Sequence, residues 1–450
     1  MREGVVQDSA ATALRTDHYE LTMVASALES GVADRAAVFE VFSRRLPPGR
    51  AYGVIAGMNR VIDAIEHFRF TDAAIEHLVG AGVVSRGPMT DWLANYRFRG
   101  DVTGYADGEL YFPYSPVLTV EGTFAECVVL ETVVLSVLNH DCAIASAAAR
   151  VTDVANGRTL IDGGSRRTDP DAAIASARAA HIGGFDTTSN LEAGRRYGIP
   201  TGGTTAHAFM LAHRTEKLAF EAQLKAMGPS STYLVDTFDV EQGIRNAVEV
   251  VGTGIGGVRI DSGDLLIDAK RARAQLDELG AEGCRIVVSS DLDEFRIAEL
   301  EAAGAPIDAY LVGTSLVTGS GHPTASMVYK LVSIEDDASG GRLRAVGKLS
   351  PGKRTVGGRK VVHRTLDGEG FWDAEVLSVL PIDLTETALS PQVPLIRAGE
   401  IVTTFDLQHA RERCDDRRAR LRPLHRRPAP DARVAIPTNW IGIEVEEDLS

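Results

Sequence analysis

Between about residues 155 and 320 the sequence repeats one unit: a short apolar run, a cluster of small or polar residues, then a capped helix. The runs lie in "TLIDGG", "HIGGFD", "TYLVDTFD", "GVRIDSGD", "CRIVVSSD" and "DAYLVGTS". The last four begin about one strand-plus-helix apart. Apolar strands alternating with helices predict a parallel sheet covered by those helices. Nearly every run ends in a polar cluster: DGGSRR, GGFD, GGTTAH, DTFD, DSGD, SSD, GTS. A barrel brings all such C-terminal ends to one mouth, whereas an open doubly wound sheet gathers only those at its switch point. The expected architecture is therefore an α/β barrel, closed or nearly closed, with its chemistry at the strand ends.

Helix boundaries are marked locally. Asp169-Pro170 places a cap before a proline at the first helical position. Ser189 to Glu192 ("SNLE") predicts a capping box whose helix stops at Gly198, and Asp239 to Gln242 ("DVEQ") opens another. Near the start, "TDHYELTMVASALESG" predicts a helix capped by Thr16 or Asp17 and ended by Gly31. "AAVFEVFSRRLPPG" is strand-like up to its Pro-Pro-Gly turn. After residue 325 the pattern turns to strands ("SMVYKLVSIE", "RLRAVGKLS", "GRKVVHRTL", "WDAEVLSVL"), with a polar hairpin loop at 335–341. Residues 409–432 are Arg-rich and irregular, which predicts a surface-docked tail. The expected division is an N-terminal part over 1–120, the barrel over 121–325, a β-rich part over 326–408, and the tail over 409–450.

A formal charge of −15 over 450 residues argues against nucleic acid or an anionic membrane as the main partner. A local cationic pocket for a phosphorylated metabolite remains compatible with it. Cys127, Cys142, Cys284 and Cys414 are scattered without metal-ligand spacing, which fits a reducing cytoplasm. "MREGVVQDSA" has no apolar stretch, so no export signal is expected. The longest apolar stretch, 124–150, contains Glu126, Glu131, His140 and Asp141, and predicts a buried helix or helix pair rather than a bilayer span.

Candidate chemistry sits at the predicted strand ends. Asp261 and Asp264 flank Ser262-Gly263, where carboxylates suit ribose hydroxyls or a phosphate-bound magnesium; for Asp264 helix capping is the equal alternative. Gly313, Thr314 and Ser315 offer N–H groups for a phosphate. Ser289, Ser290 and Asp291 either contact phosphate or cap the next helix. Arg166 and Arg167 provide forked donors for phosphate or carboxylate. His207, in "TGGTTAHAFM", lies beside this presumed phosphate site rather than on a plain packing face.

These motifs together resemble the nicotinate phosphoribosyltransferase family. The similarity runs in order through "TDHYELTM" (16–23), "FEVFSRRLPPGRAYGVIAGM" (39–58), "LSVLNHDCAIASAAARV" (135–151), "GSRRT", "GGTTAHAF", "GVRIDSGDL", "LVGTSLVTG", "YKLV" (329–332) and "GKLSPGKRTVGGRK" (347–360). The resemblance implies a type II phosphoribosyltransferase fold: a partly open α/β barrel with a smaller α+β domain built from both chain ends. It implies a homodimer with shared active sites, substrates nicotinate, phosphoribosyl pyrophosphate and ATP, and a need for Mg²⁺. Tyr19, Arg166, Thr204 and Arg259 would bind nicotinate, and Asp261 would hold the ribose and stabilise its developing charge. Ser262, Asp264, Ser290, Asp291, Gly313 and Thr314 would contact phosphoribosyl pyrophosphate. His207 matches the histidine that ATP phosphorylates, and no protein residue is assigned as a metal ligand.

One position departs from the pattern. Similar enzymes commonly carry a bulky residue, often Phe or Met, before the glycine of "GSRR"; here it is Gly163. Ring packing must then come from elsewhere, with Tyr19 or Phe185 as candidates. A nicotinamide-using enzyme and a catalytically silent homologue are the alternatives. A barrel lyase would need a lysine at a strand end, and Lys217, Lys225 and Lys270 fall in predicted helices.

Overall fold

The computed structural model describes residues 11–336, 340–348, 355–379 and 388–442. The chain forms two compact units. One takes residues from both ends, up to Cys142 and from Thr324 onward; the other is Ala143–Pro323 joined by Arg426–Pro430. The crossings thus fall at 142/143 and 323/324, beside the expected 120/121 and 325/326. Residue 120 lies inside the strand Leu118–Thr123. The unit built from both ends is also the larger in residues, not the smaller.

The Ala143–Pro323 unit holds a six-stranded parallel sheet in the order Thr187–Thr188, Thr159–Asp162, Ala309–Val312, Arg285–Val288, Gly257–Ile260, Thr232–Leu234. The first and last are edges, so the barrel is partly open rather than closed. The strand ends stay level: Val312 pairs with Asp162, Val288 with Ile260, and Leu234 with Arg259. Tyr233, Val258, Ile260, Ile286, Val288, Tyr310 and Val312 are fully buried, as the unbroken apolar runs require. Carboxylates start the helices that follow. Asp169, Asp239, Asp264 and Asp293 each accept from backbone N–H groups of the first turn, worth about 1 kcal/mol apiece.

Three local expectations are corrected here. "HIGGFD" is not a strand: the Ala-rich helix Pro170–Ile182 runs through its first two residues, Gly184 turns the chain at φ 114°, and pairing begins at Thr187. The helix Leu191–Tyr197 is capped by Asn190 rather than Ser189. Glu192 therefore closes no capping box; it pairs with Arg195 and Arg196 instead. The helix after Val288 starts at Glu294 under Asp293, so Ser289, Ser290 and Asp291 do not cap it.

The other unit is built on a seven-stranded antiparallel sheet. In it Ala36–Ser43 lies between Met327–Asp336 and Leu118–Thr123, and Phe39 stacks on Tyr329 at 5.0 Å. Met327–Asp336 and Arg342–Ala345 form the expected hairpin, although 337–339 of its loop and 349–354 of the "GKLSPGKRTVGGRK" motif lie outside the described residues. His18–Ser30 is a helix capped by Asp17, with Gly31 at φ 72° ending it. The apolar stretch forms a helix pair, Phe124–Val128 and Glu131–Val154, apolar and long enough to span a bilayer but mostly buried within the protein. Its fully buried Asp141 takes the Arg60 guanidinium at 2.6 Å.

The Arg-rich segment is not an irregular tail. Leu407–Ala419 is a helix with Ala410 and Cys414 buried, and Thr438–Ile441 joins Trp372–Ser378 as a parallel strand. Long-range contacts organise the arginines. Arg417 and Arg420 lie over the Trp372 ring, Arg417 pairs with Glu109 at 2.8 Å, and Arg422 contacts Asp367 and Glu369. Residues 443–450 are outside the described set.

Candidate active site

The strand ends of the parallel sheet enclose a polar pocket of about 220 Å³. Gly163, Arg166, Arg167, Arg259, Asp261, Ser289, Ser290, Asp291, Leu311, Gly313 and Thr314 line it. Four successive strand ends contribute, which is the convergence that level strands predict.

Asp261 is its electrostatic centre. Its Oδ1 accepts from Ser289 Oγ and meets Arg259 Nη2 at 3.0 Å, while Oδ2 lies 3.7 Å from His207 Nε2. Arg259 Nε also donates to Ser289 Oγ at 3.0 Å, and Nη1 to Thr204 Oγ1 at 2.9 Å. Partial burial works to raise the Asp261 pKa, but the Ser289 hydrogen bond, Arg259 and His207 outweigh it, so the carboxyl sits below its ordinary range. It stays an anion, suited to an oxocarbenium-like centre.

Sequence reasoning left Asp236 unnamed. It follows the strand Thr232–Leu234, and its side chain is almost wholly buried. Oδ2 accepts from Asp261 N and from Ser262 Oγ, both at 2.8 Å. Oδ1 has no hydrogen-bond partner and lies 3.9 Å from His207 Nε2. The signal was available: "DTFD" offers two aspartates, and only Asp239 is needed to cap the helix.

His207 does not end a strand as expected; it opens the short helix Leu211 closes, after a loop that bridges to the sheet only at Thr201–Thr188. Its Nδ1 lies 3.2 Å from Thr237 Oγ1, and its ring is 40% exposed, so one nitrogen is held while the other stays reachable. Arg166 and Arg167 occupy a one-turn 3-10 helix after Gly164 and are exposed. Gly313 precedes the turn Thr314–Val317, whose Ser315 hydroxyl donates to the Leu292 carbonyl and ties two strand-end loops together. Ser290 and Asp291 both adopt positive φ, 120° and 28°. Asp264 is spent on its helix cap, and Ser262 on Asp236.

Two expected contributors stand elsewhere. Phe185 is 1% exposed in the core and does not line the pocket. Tyr19 belongs to the other unit, on the helix His18–Ser30, where it is 45% exposed. Burial, with Glu131 and Glu20 beside it, keeps its phenol protonated.

A partly open parallel α/β barrel with arginines, a carboxylate and a Gly-Thr turn at its strand ends, in a chain whose other unit is sheet-rich and drawn from both ends, is the type II phosphoribosyltransferase fold. Residues 14–139 match the family described as nicotinate phosphoribosyltransferase (NAPRTase) N-terminal domain. Over 424 residues the chain is 51% identical to nicotinate phosphoribosyltransferase pncB1 of Mycobacterium tuberculosis, covering 91% of each. It is 39% identical over 366 residues to the Bacillus subtilis nicotinate phosphoribosyltransferase, covering 79% of this chain and 73% of that one. The crystal structure of human nicotinic acid phosphoribosyltransferase superposes with a TM-score of 0.80 at 25% identity, covering 94% of this chain and 97% of that one. The chain belongs to the nicotinate phosphoribosyltransferase family.

Proposed function

We propose that this chain joins nicotinate to phosphoribosyl pyrophosphate, forming nicotinate mononucleotide and pyrophosphate, with ATP hydrolysis coupled through phosphorylation of His207. The observation that carries this is the meeting of Arg166, Arg167, Arg259 and Asp261 in one pocket, with His207 3.7 Å from Asp261. In the displacement, the pyridine nitrogen forms a bond to the anomeric carbon as the bond to pyrophosphate breaks. Positive charge grows on the ribose ring, and the Asp261 carboxylate stabilises it. Arg166 and Arg259 hold the nicotinate carboxylate, with Thr204 supporting Arg259. The N–H groups at Gly313-Thr314 receive the 5′-phosphate.

Among the described residues, His, Cys, Asp and Glu atoms converge at metal-ligand spacing only at exposed Asp63 and Glu66 with half-buried His67, far along the chain from the strand ends. The carboxylates at the strand ends, Asp261 and Asp291 in the pocket lining and the unpartnered Asp236 Oδ1, would hold a Mg²⁺ there. Magnesium bound there supplies charge neutralisation to the departing pyrophosphate. We read the enzyme as a cytoplasmic homodimer in which Tyr19 of a second copy completes the base site.

The test is mononucleotide formation from phosphoribosyl pyrophosphate and Mg²⁺, with nicotinate and nicotinamide compared, each with and without ATP. Product from nicotinate, raised by ATP with matching ADP release, is expected. Product from nicotinamide alone favours the amide-using alternative, and none from either favours a silent homologue.

A further inference from the structure

Of the side chains lining the pocket, Leu311 alone is apolar; the others bear charges or hydroxyls. It lies on Ala309–Val312, half-buried, next to the strand that leads into Gly163. A Cβ placed on Gly163 would come within 2.3 Å of Leu311 Cδ2 and 3.0 Å of its Cγ. Gly163 has no left-handed φ that would demand glycine. Its missing side chain is therefore explained by space: the Leu311 isobutyl group fills the volume a residue at 163 would take.

We infer that Leu311 is the residue against which the substrate's pyridine ring packs, and that it sets how well the ring is bound. This presupposes the transfer to a pyridine base proposed above. A flat heteroaromatic ring gains from leaving water where an apolar wall receives it, and Leu311 is the one apolar wall this chain's own strand ends bring to the pocket, beyond the Tyr19 proposed from a second copy. The wall is aliphatic and comes from the strand opposite Gly163. Charge on the base is met separately by Arg166 and Arg259. Leu311 therefore governs affinity for the ring and leaves the choice between acid and amide to the arginines.

Steady-state kinetics on the full chain test this. Leu311→Ala is expected to raise KM for nicotinate roughly tenfold or more, leaving KM for phosphoribosyl pyrophosphate within about twofold. Leu311→Met, which conserves volume, retains the wild-type KM. Gly163→Leu alone loses kcat/KM through the clash, and Gly163→Leu combined with Leu311→Gly recovers most of it, because the same isobutyl group then enters from the other strand. Melting curves identify any variant that fails to fold, and for such a variant the Leu311→Met and double-variant results decide. An active wild type with an unchanged nicotinate KM in Leu311→Ala overturns the inference alone, as does a double variant no better than Gly163→Leu. A folded wild type inactive with both bases overturns the proposed function and this inference together.

Discussion

The carboxylate of Asp236 accepts the backbone N–H of Asp261 at 2.8 Å, so one strand end reaches across to fix the next. The same oxygen takes the Ser262 hydroxyl, and the turn bearing the central carboxylate is clamped from its neighbour. Asp236→Ala leaves both donors without that acceptor and is expected to lower stability by about 1–3 kcal/mol and reduce transfer. Asp236→Asn keeps one acceptor oxygen but removes the charge near His207, so its loss falls more on ATP stimulation. Thermal unfolding read beside the ATP dependence of product formation separates the two.

His207→Ala should retain transfer from phosphoribosyl pyrophosphate while losing the rise with ATP. An ATP effect of wild-type size in that variant removes His207 from the coupling. Detection of phosphate on the wild-type protein after ATP treatment, absent in the variant, checks the same point directly.

Asp261 makes a pH prediction whose sign is set by its lowered pKa. Its folded carboxyl titrates below the ordinary 3.8, so its contribution to stability is full above that value and is lost as pH falls through the folded value. Melting temperature against pH should therefore fall less steeply for Asp261→Asn than for wild type below about pH 4. The same substitution should lower kcat by about 10²-fold or more, through lost stabilisation of the ribose charge.

In the sheet-rich unit, Arg364 is 1% exposed between Glu109 at 2.7 Å and Glu375 at 2.6 Å, its guanidinium 5.0 Å from the Trp372 ring. Arg364→Met leaves the buried Glu375 carboxylate without its cation and Glu109 with Arg417 alone, and should cost about 3–5 kcal/mol, read as a lowered denaturant midpoint.

What could be read from the sequence was what local chemistry decides. Asp17, Asp169 and Asp239 cap their helices because a short carboxylate before an amphipathic run has few other uses. The pocket arginines and Asp261 were legible because level parallel strands must deliver their end residues to one place. Asp236 escaped because two aspartates in four residues leave their roles to register, and only the pairing of Leu234 with Arg259 puts Asp236 opposite Asp261. The arginines after 409 escaped for the reverse reason: their partners, Trp372, Glu109 and Asp367, are distant in the chain, and charge density alone looks like solvent exposure. Gly163 was legible as an oddity, yet its cause lay on Leu311, on a strand that sequence order does not bring beside it.

Ser290 and Asp291 hold a backbone conformation that suits glycine, at an energy of about 1–3 kcal/mol each. Asp291→Gly would relax that loop and raise the melting temperature, while removing a side chain from the pocket and loosening its rim. Variants of this chain picked for heat resistance and variants picked for turnover should therefore part company at residue 291, the first drifting toward glycine and the second refusing it.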